Sequence, residues 1–198
     1  MSEMRHRAIF ESDELFATAR QFGQVRKELT RMKARNELPD LPAASRQLAD
    51  LSRLCKKLTD EVLVRVDVTE EVDLSPVVHA YAAAARSAGR AIQNYSAAYA
   101  ELGLLHRTSE WPPPDDQHDR RDAIITVRER LENVRSDLGQ VNDALCKPAG
   151  DMYRSAIRST AALSRSAHSA PSAGRPLSED TSPSVTRTAP TPEHRHGR

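Results

Sequence analysis

Glycine is scarce in this chain: seven residues in 198, with no glycine-rich stretch. A P-loop needs glycines to bring backbone amides against phosphate, so that class of nucleotide site is excluded. No G-x-S-x-G nucleophile turn occurs either. Aromatic residues make up only 4%. Pockets for flat organic ligands are lined largely by bulky apolar side chains, so a roomy pocket of that kind is not expected. There are two cysteines, Cys55 and Cys146. A disulfide framework needs more of them in a shorter secreted chain. Both fall at apolar helical positions and read as small buried hydrophobes. The formal charge is +1, so no global field points to nucleic acid or anionic lipid. No long hydrophobic run is present. The least charged stretch, 77–100, is rich in alanine and carries Arg86, Arg90, Gln93 and Asn94. It makes a poor membrane span. The first residues, MSEMRHRAIFESDE, lack an apolar core of the kind a secretory signal needs, and a cytoplasmic location is expected. Arginine far outnumbers the five lysines, and with abundant alanine and proline this is the usage expected of a GC-rich bacterial genome.

What the chain has is an apolar stripe returning every three or four residues. Ala44, Leu48, Leu51, Cys55, Leu58 and Val62 form one run. A second passes through Tyr81, Ala85, Ala88, Ile92, Tyr95, Ala98, Leu102 and Leu105. The cleanest is Ile124, Val127, Leu131, Val134, Leu138, Val141 and Leu145. This spacing keeps one helical face apolar over many turns. It predicts an all-α fold: an antiparallel four- to five-helix bundle with coiled-coil-like seams.

Helix one is expected from Ser12, after a flexible segment 1–11, with Asp13 and Glu14 complementing the helix dipole. Leu15, Phe22 and Leu29 stand seven apart, with Val25 and Met32 in the other seam. Its far end is basic: Arg26, Lys27, Arg31, Lys33 and Arg35. Pro39 and Pro42 bracket a linker to helix two, from about Ala43 to Val66. Ser75 is placed to cap helix three, with Pro76 at the first helical position. Helix three extends to about His106, and its many small residues suit the central, most buried position. Trp111 and the run Pro112–Pro114 form a stiff elbow into helix four. Helices three and four are thereby expected to form an antiparallel hairpin. Pro148 and Gly150 predict a break, followed by a weaker fifth helix over about 151–167. The bundle domain thus covers 12–167. The remainder, 168–198, is rich in Ser, Thr and Pro, buries little apolar surface, and is expected to be disordered.

Three constellations bear on chemistry. Asp115, Asp116, Gln117, His118 and Asp119 spell D-D-x-x-D. This resembles the magnesium–diphosphate motif of class I terpenoid synthases, which are also all-helical. The resemblance covers five residues and implies Asp115, Asp116 and Asp119 as metal ligands in a diphosphate-processing enzyme. The plainer reading of the same residues is acidic capping of helix four. The same turn puts Asp115, His118, Asp119 and Asp122 on one helical face, with His106 near, a set that could hold a transition metal. The basic run from Arg26 to Arg35 could touch nucleic-acid phosphates, but it wraps around its helix and no nucleic-acid-reading motif accompanies it. Tyr81, Tyr95 and Tyr99 read as core packers.

The expectation is therefore a non-enzymatic helical interaction protein, working through a protein partner or self-association, with no cofactor and no membrane span. The magnesium-dependent enzyme and a nucleic-acid-associated protein are the alternatives.

Overall fold

The computed structural model of the chain describes residues 2–35, 37–67, 74–110 and 117–168. The described residues form four helices: α1 (Ser2–Ala34), α2 (Leu41–Asp67), α3 (Ser75–Glu110) and α4 (Gln117–His168). Among the described residues there is no strand, and no helix is long and apolar enough to cross a membrane.

Side-chain pairs between helices fix their directions. Arg65 meets Glu11 and Lys57 meets Gln21, so α2 runs antiparallel to α1. Gln47 accepts from the Tyr95 hydroxyl, and Arg65 lies over the Tyr81 ring, which reverses α3 against α2. Arg90 pairs with Asp137 and Arg130 with Asn94, giving the expected antiparallel α3–α4 hairpin. Ser12 reaches Ala149 and Lys33 reaches Glu132, which closes α4 against α1. The result is an up-down-up-down bundle. Its four seams are unequal. α3 packs most extensively on α4, α1 lies along α4 and α2 along α3, while α1 and α2 meet only thinly.

The core follows the sequence stripes. Ala44, Leu51 and Leu58 of α2 are buried, as are Val127, Val134, Leu138, Val141 and Leu145 of α4. Leu15, Phe22 and Leu29 come in from α1. On α3, Ala80, Ala84, Ala88, Ala91 and Ala98 let its neighbours approach closely, with Tyr81 and Tyr95 as the large fillers. Sandwiched between α2 and α4, α3 occupies the expected central place and shares it with α4. Tyr99 is half-buried against the same core. Cys55 and Cys146 are free thiols, half-buried against it, and burial pushes both thiols up from their ordinary pKa.

Helix boundaries differ from expectation in four places. α1 begins at Ser2 and not near Ser12, so most of the segment read as flexible is helical. Ser12 is no cap: it is buried, and its hydroxyl donates sideways to the Ala149 carbonyl at 2.9 Å. α2 starts at Leu41 because Asp40 caps it: the Asp40 carboxylate accepts from the Ala43 amide at 2.6 Å. Pro42 then falls in the first turn, where a missing N–H costs nothing. At α3 the first bonds go to the Leu74 carbonyl, from Val77 and Val78 at 2.9 and 3.0 Å, which shifts the start by one residue. Finally, Pro148 and Gly150 do not divide α4. Leu145 and Ala149 are fully buried on either side of the proline, and their packing outweighs the backbone bond that Pro148 cannot make. The expected fourth and fifth helices are one helix of 52 residues, about 78 Å long. The Trp111–Pro114 elbow and the segment from Ser169 onward lie outside the described residues.

Tyr95 gives the core an alkaline limit. Burial drives its hydroxyl well above the usual tyrosine range, with the Glu28 charge adding to it. Burial likewise raises Tyr81. A folded-state pKa above the unfolded value contributes stability that is complete below the unfolded pKa of about 10 and lost as pH rises beyond it. Thermal melts are expected to start falling above about pH 8.5, where the thiols of the unfolded chain ionise and the raised Cys55 and Cys146 do not, and to fall more steeply above about pH 10 as the tyrosines add to it. Tyrosinate absorbance from Tyr81 and Tyr95 should appear only together with unfolding. Ionisation of all four tyrosines in the folded protein would contradict this packing.

Candidate functional site

The core is not apolar throughout. One seam of α1 passes through Thr18, Val25 and Met32 and is headed by Glu11, seven residues before Thr18. The main seam of α2 runs Ala44, Leu51, Leu58 and then Arg65. Two charged residues thus occupy core positions at the same end of the bundle. They pair there: Arg65 Nε donates to Glu11 Oε2 at 2.8 Å, and Arg65 Nη2 stands 2.7 Å from the same oxygen. Glu11 is 4% exposed and Arg65 7%.

A second carboxylate and a ring complete the layer. Arg65 Nη1 donates to the Glu61 side chain one turn earlier on α2. The guanidinium carbon sits 4.7 Å from the centre of the Tyr81 ring, a cation–π distance. Arg7 reaches the other Glu11 oxygen at 4.0 Å. Burial alone would favour loss of the Arg65 proton, but hydrogen bonds to Glu61 and Glu11 outweigh it, leaving the guanidinium more basic than an ordinary arginine. Tyr81 and Thr18 approach each other beside this layer. Their buried hydroxyls complete no well-formed hydrogen bond, and they are the orphaned side-chain atoms among the described residues.

Around this layer the surface is unusually apolar. Phe10, immediately before Glu11, is 59% exposed. Val64, immediately before Arg65, is 61% exposed, and Leu63 is 60%. Val66 is also exposed. Glu11 and Arg65 touch, so these side chains stand at the same end of the bundle; on α2, Val64 and Val66 fall to either side of the inward-facing Arg65, and Leu63 lies nearly opposite it. Single exposed hydrophobes are ordinary, but grouped ones mark interaction surfaces.

The residues singled out from sequence lie elsewhere. His118 and Asp119 stand exposed in the first turn of α4. His118 Nε2 is 3.8 Å from Asp122 Oδ2, both on the surface. Asp115 and Asp116 lie outside the described residues. His106 is at the same end of the bundle, beside an apolar recess that it lines with Arg120 and Ile124. Among the described residues no group of three or more His, Cys, Asp or Glu could hold a metal ion. The basic end of α1 is partly committed within the bundle. The Arg26 guanidinium lies over Gly139, where a β-carbon would come within 3.4 Å of it. Lys33 Nζ is 2.7 Å from Glu132.

Sequence reasoning missed the Glu11–Arg65 layer. The signal was present in the spacing, since both residues continue a seam by seven, but charge at such a position reads as the end of the seam. A further polar cluster joins α3 to α4: Asp137 accepts from Arg90 at 3.2 Å and from Asn94 at 3.0 Å. Arg90 also donates to Ser87 and Gln140. Its members satisfy one another and hold the hairpin in register.

No protein-family model, curated protein or solved structure matches this chain.

Proposed function

We propose that the protein is a non-enzymatic helical interaction protein, and that the α1–α2 edge at the Glu11–Arg65 end receives an amphipathic helix from its partner. The observation that carries this reading is the exposure of Phe10, Leu63, Val64 and Val66 at the end of the bundle where α1 and α2, its least packed neighbours, are joined by the Glu11–Arg65 pair. A helix laid into a groove anchors through apolar side chains three and four apart. Leu63 and Val66 present that spacing on α2. The buried ion pair supports the same reading: it holds α1 and α2 in one register where their packing is thin, so the two helices keep a fixed spacing before a partner arrives. A second copy of the chain is one candidate partner, since the seam of one bundle can lie against that of another.

The test is a Leu63→Glu/Val64→Glu double variant. Both positions face solvent, so its melting temperature should stay close to that of the parent chain. Chemical cross-linking of the native protein, followed by peptide mapping, should place partner or self cross-links around residues 57–66, and the double variant should lose them. Cross-links unchanged in the variant, or confined to another face, would overturn the reading.

A further inference from the structure

At the opposite end of the bundle, the last turns of α1, Glu37 and Leu38 beyond it, and one face of α4 line a cleft of about 230 Å³. Its floor is aliphatic: Leu29, Met32, Leu38 and Leu131. Leu29 is buried, and the other three pack against the core. The rim is charged. Arg128, Glu132 and Arg135 follow one another along α4 at spacings of four and three, which aligns them on one face. Lys33 Nζ stands 2.7 Å from Glu132 Oε2, and Arg135 Nη2 is 2.5 Å from Glu132 Oε1. Both oxygens of that carboxylate are therefore engaged, and the Lys33 hydrogen bond holds it below the usual carboxylate range. Glu37 is the other acid of the rim. Three cations against two carboxylates leave one positive charge, and Arg128 is the cation that neither carboxylate takes up.

We propose that this cleft binds a small monoanionic amphiphile, a medium-chain alkanoate, with its carboxylate on Arg128 and its chain along Leu29, Met32, Leu38 and Leu131. The physical fit rests on three properties. The volume lies below the roughly 300–1,000 Å³ of pockets for drug-sized ligands, which selects a short chain. The floor carries no ring, so it offers a flexible saturated chain a better surface than a flat heterocycle. The guanidinium fork matches a carboxylate bidentately, and the rim's single surplus charge matches one anionic head.

Calorimetric titration of the full chain with octanoate tests this, with n-octanol and octylamine as probes of the head group. Octanoate should bind saturably at one site per chain, and octanol and octylamine more weakly. Arg128 is exposed, so Arg128→Ala should keep the fold while weakening octanoate by about tenfold or more, the loss of a charge-assisted hydrogen bond. A Leu131→Asp variant should abolish binding, checked by a retained helical spectrum. Octanoate that never saturates, octanol that binds as tightly, or an Arg128→Ala variant of unchanged affinity would each overturn the proposal. None of these outcomes touches the α1–α2 edge, which lies at the other end of the bundle.

Discussion

Replacing Arg65 with alanine is expected to cost the bundle about 3–5 kcal/mol, because it strands a buried carboxylate. Glu11 would keep its place inside the layer without the two nitrogens that now hold it at 2.7 and 2.8 Å. Tyr81 would lose the cation over its ring. Arg7, at 4.0 Å and half-exposed, is too distant to take over. Glu61 is only partly buried and can turn to water, so its share of the loss is small. The companion variant sharpens the result. Changing both partners to apolar residues of similar size, Glu11→Leu with Arg65→Met, removes the desolvation penalty along with the attraction. That double change is expected to be neutral or stabilising by roughly 1–4 kcal/mol. Urea unfolding at neutral pH separates the two cases through the midpoint at constant slope. An alanine variant within about 1 kcal/mol of the parent would mean that the layer is wetter than its geometry implies.

Restoring a backbone donor at position 148 should have the opposite sign. Proline inside a helix is worse than alanine by about 3 kcal/mol, since it lacks an N–H and crowds the carbonyl one turn back. In α4 that carbonyl belongs to Ala144, and the helix continues unbroken past it to His168. Pro148→Ala is therefore expected to stabilise the protein by about 2–3 kcal/mol and to raise the thermal midpoint by several degrees. Neighbouring Leu145 and Ala149 are already fully buried, so little repacking is required. No gain in midpoint would mean that α4 bends or opens at the proline.

The stripes of three and four residues were enough to read an all-helical bundle, its α3–α4 hairpin and most of its core. Spacing is a property of the backbone, and burial follows it directly. Boundaries were harder, because they depend on what a side chain touches across the bundle. Ser12 looks like a cap in isolation, yet its hydroxyl is spent on Ala149. Pro148 looks like a stop, yet its flanking residues are held by packing that no local rule contains. The candidate edge was less legible still. Glu11 and Arg65 are 54 positions apart, and nothing local says that they meet. Only the coincidence of two seams, each continued by a charge, hinted at it. The acidic run at 115–119 drew attention through its resemblance to a motif, and His118 and Asp119 of that run stand at the surface.

The thinness of the α1–α2 seam has a consequence for biosynthesis. Of the four described helices α1 is made before the others, but its main neighbour is α4, the last of the four; Ser12 and Ala149 are separated by 137 positions. At typical elongation rates of about 5–20 residues per second, the apolar side of α1 stays uncovered for on the order of ten seconds. Throughout that interval α1 depends on whatever else is at hand to shield Leu15, Phe22 and Leu29 from aggregation.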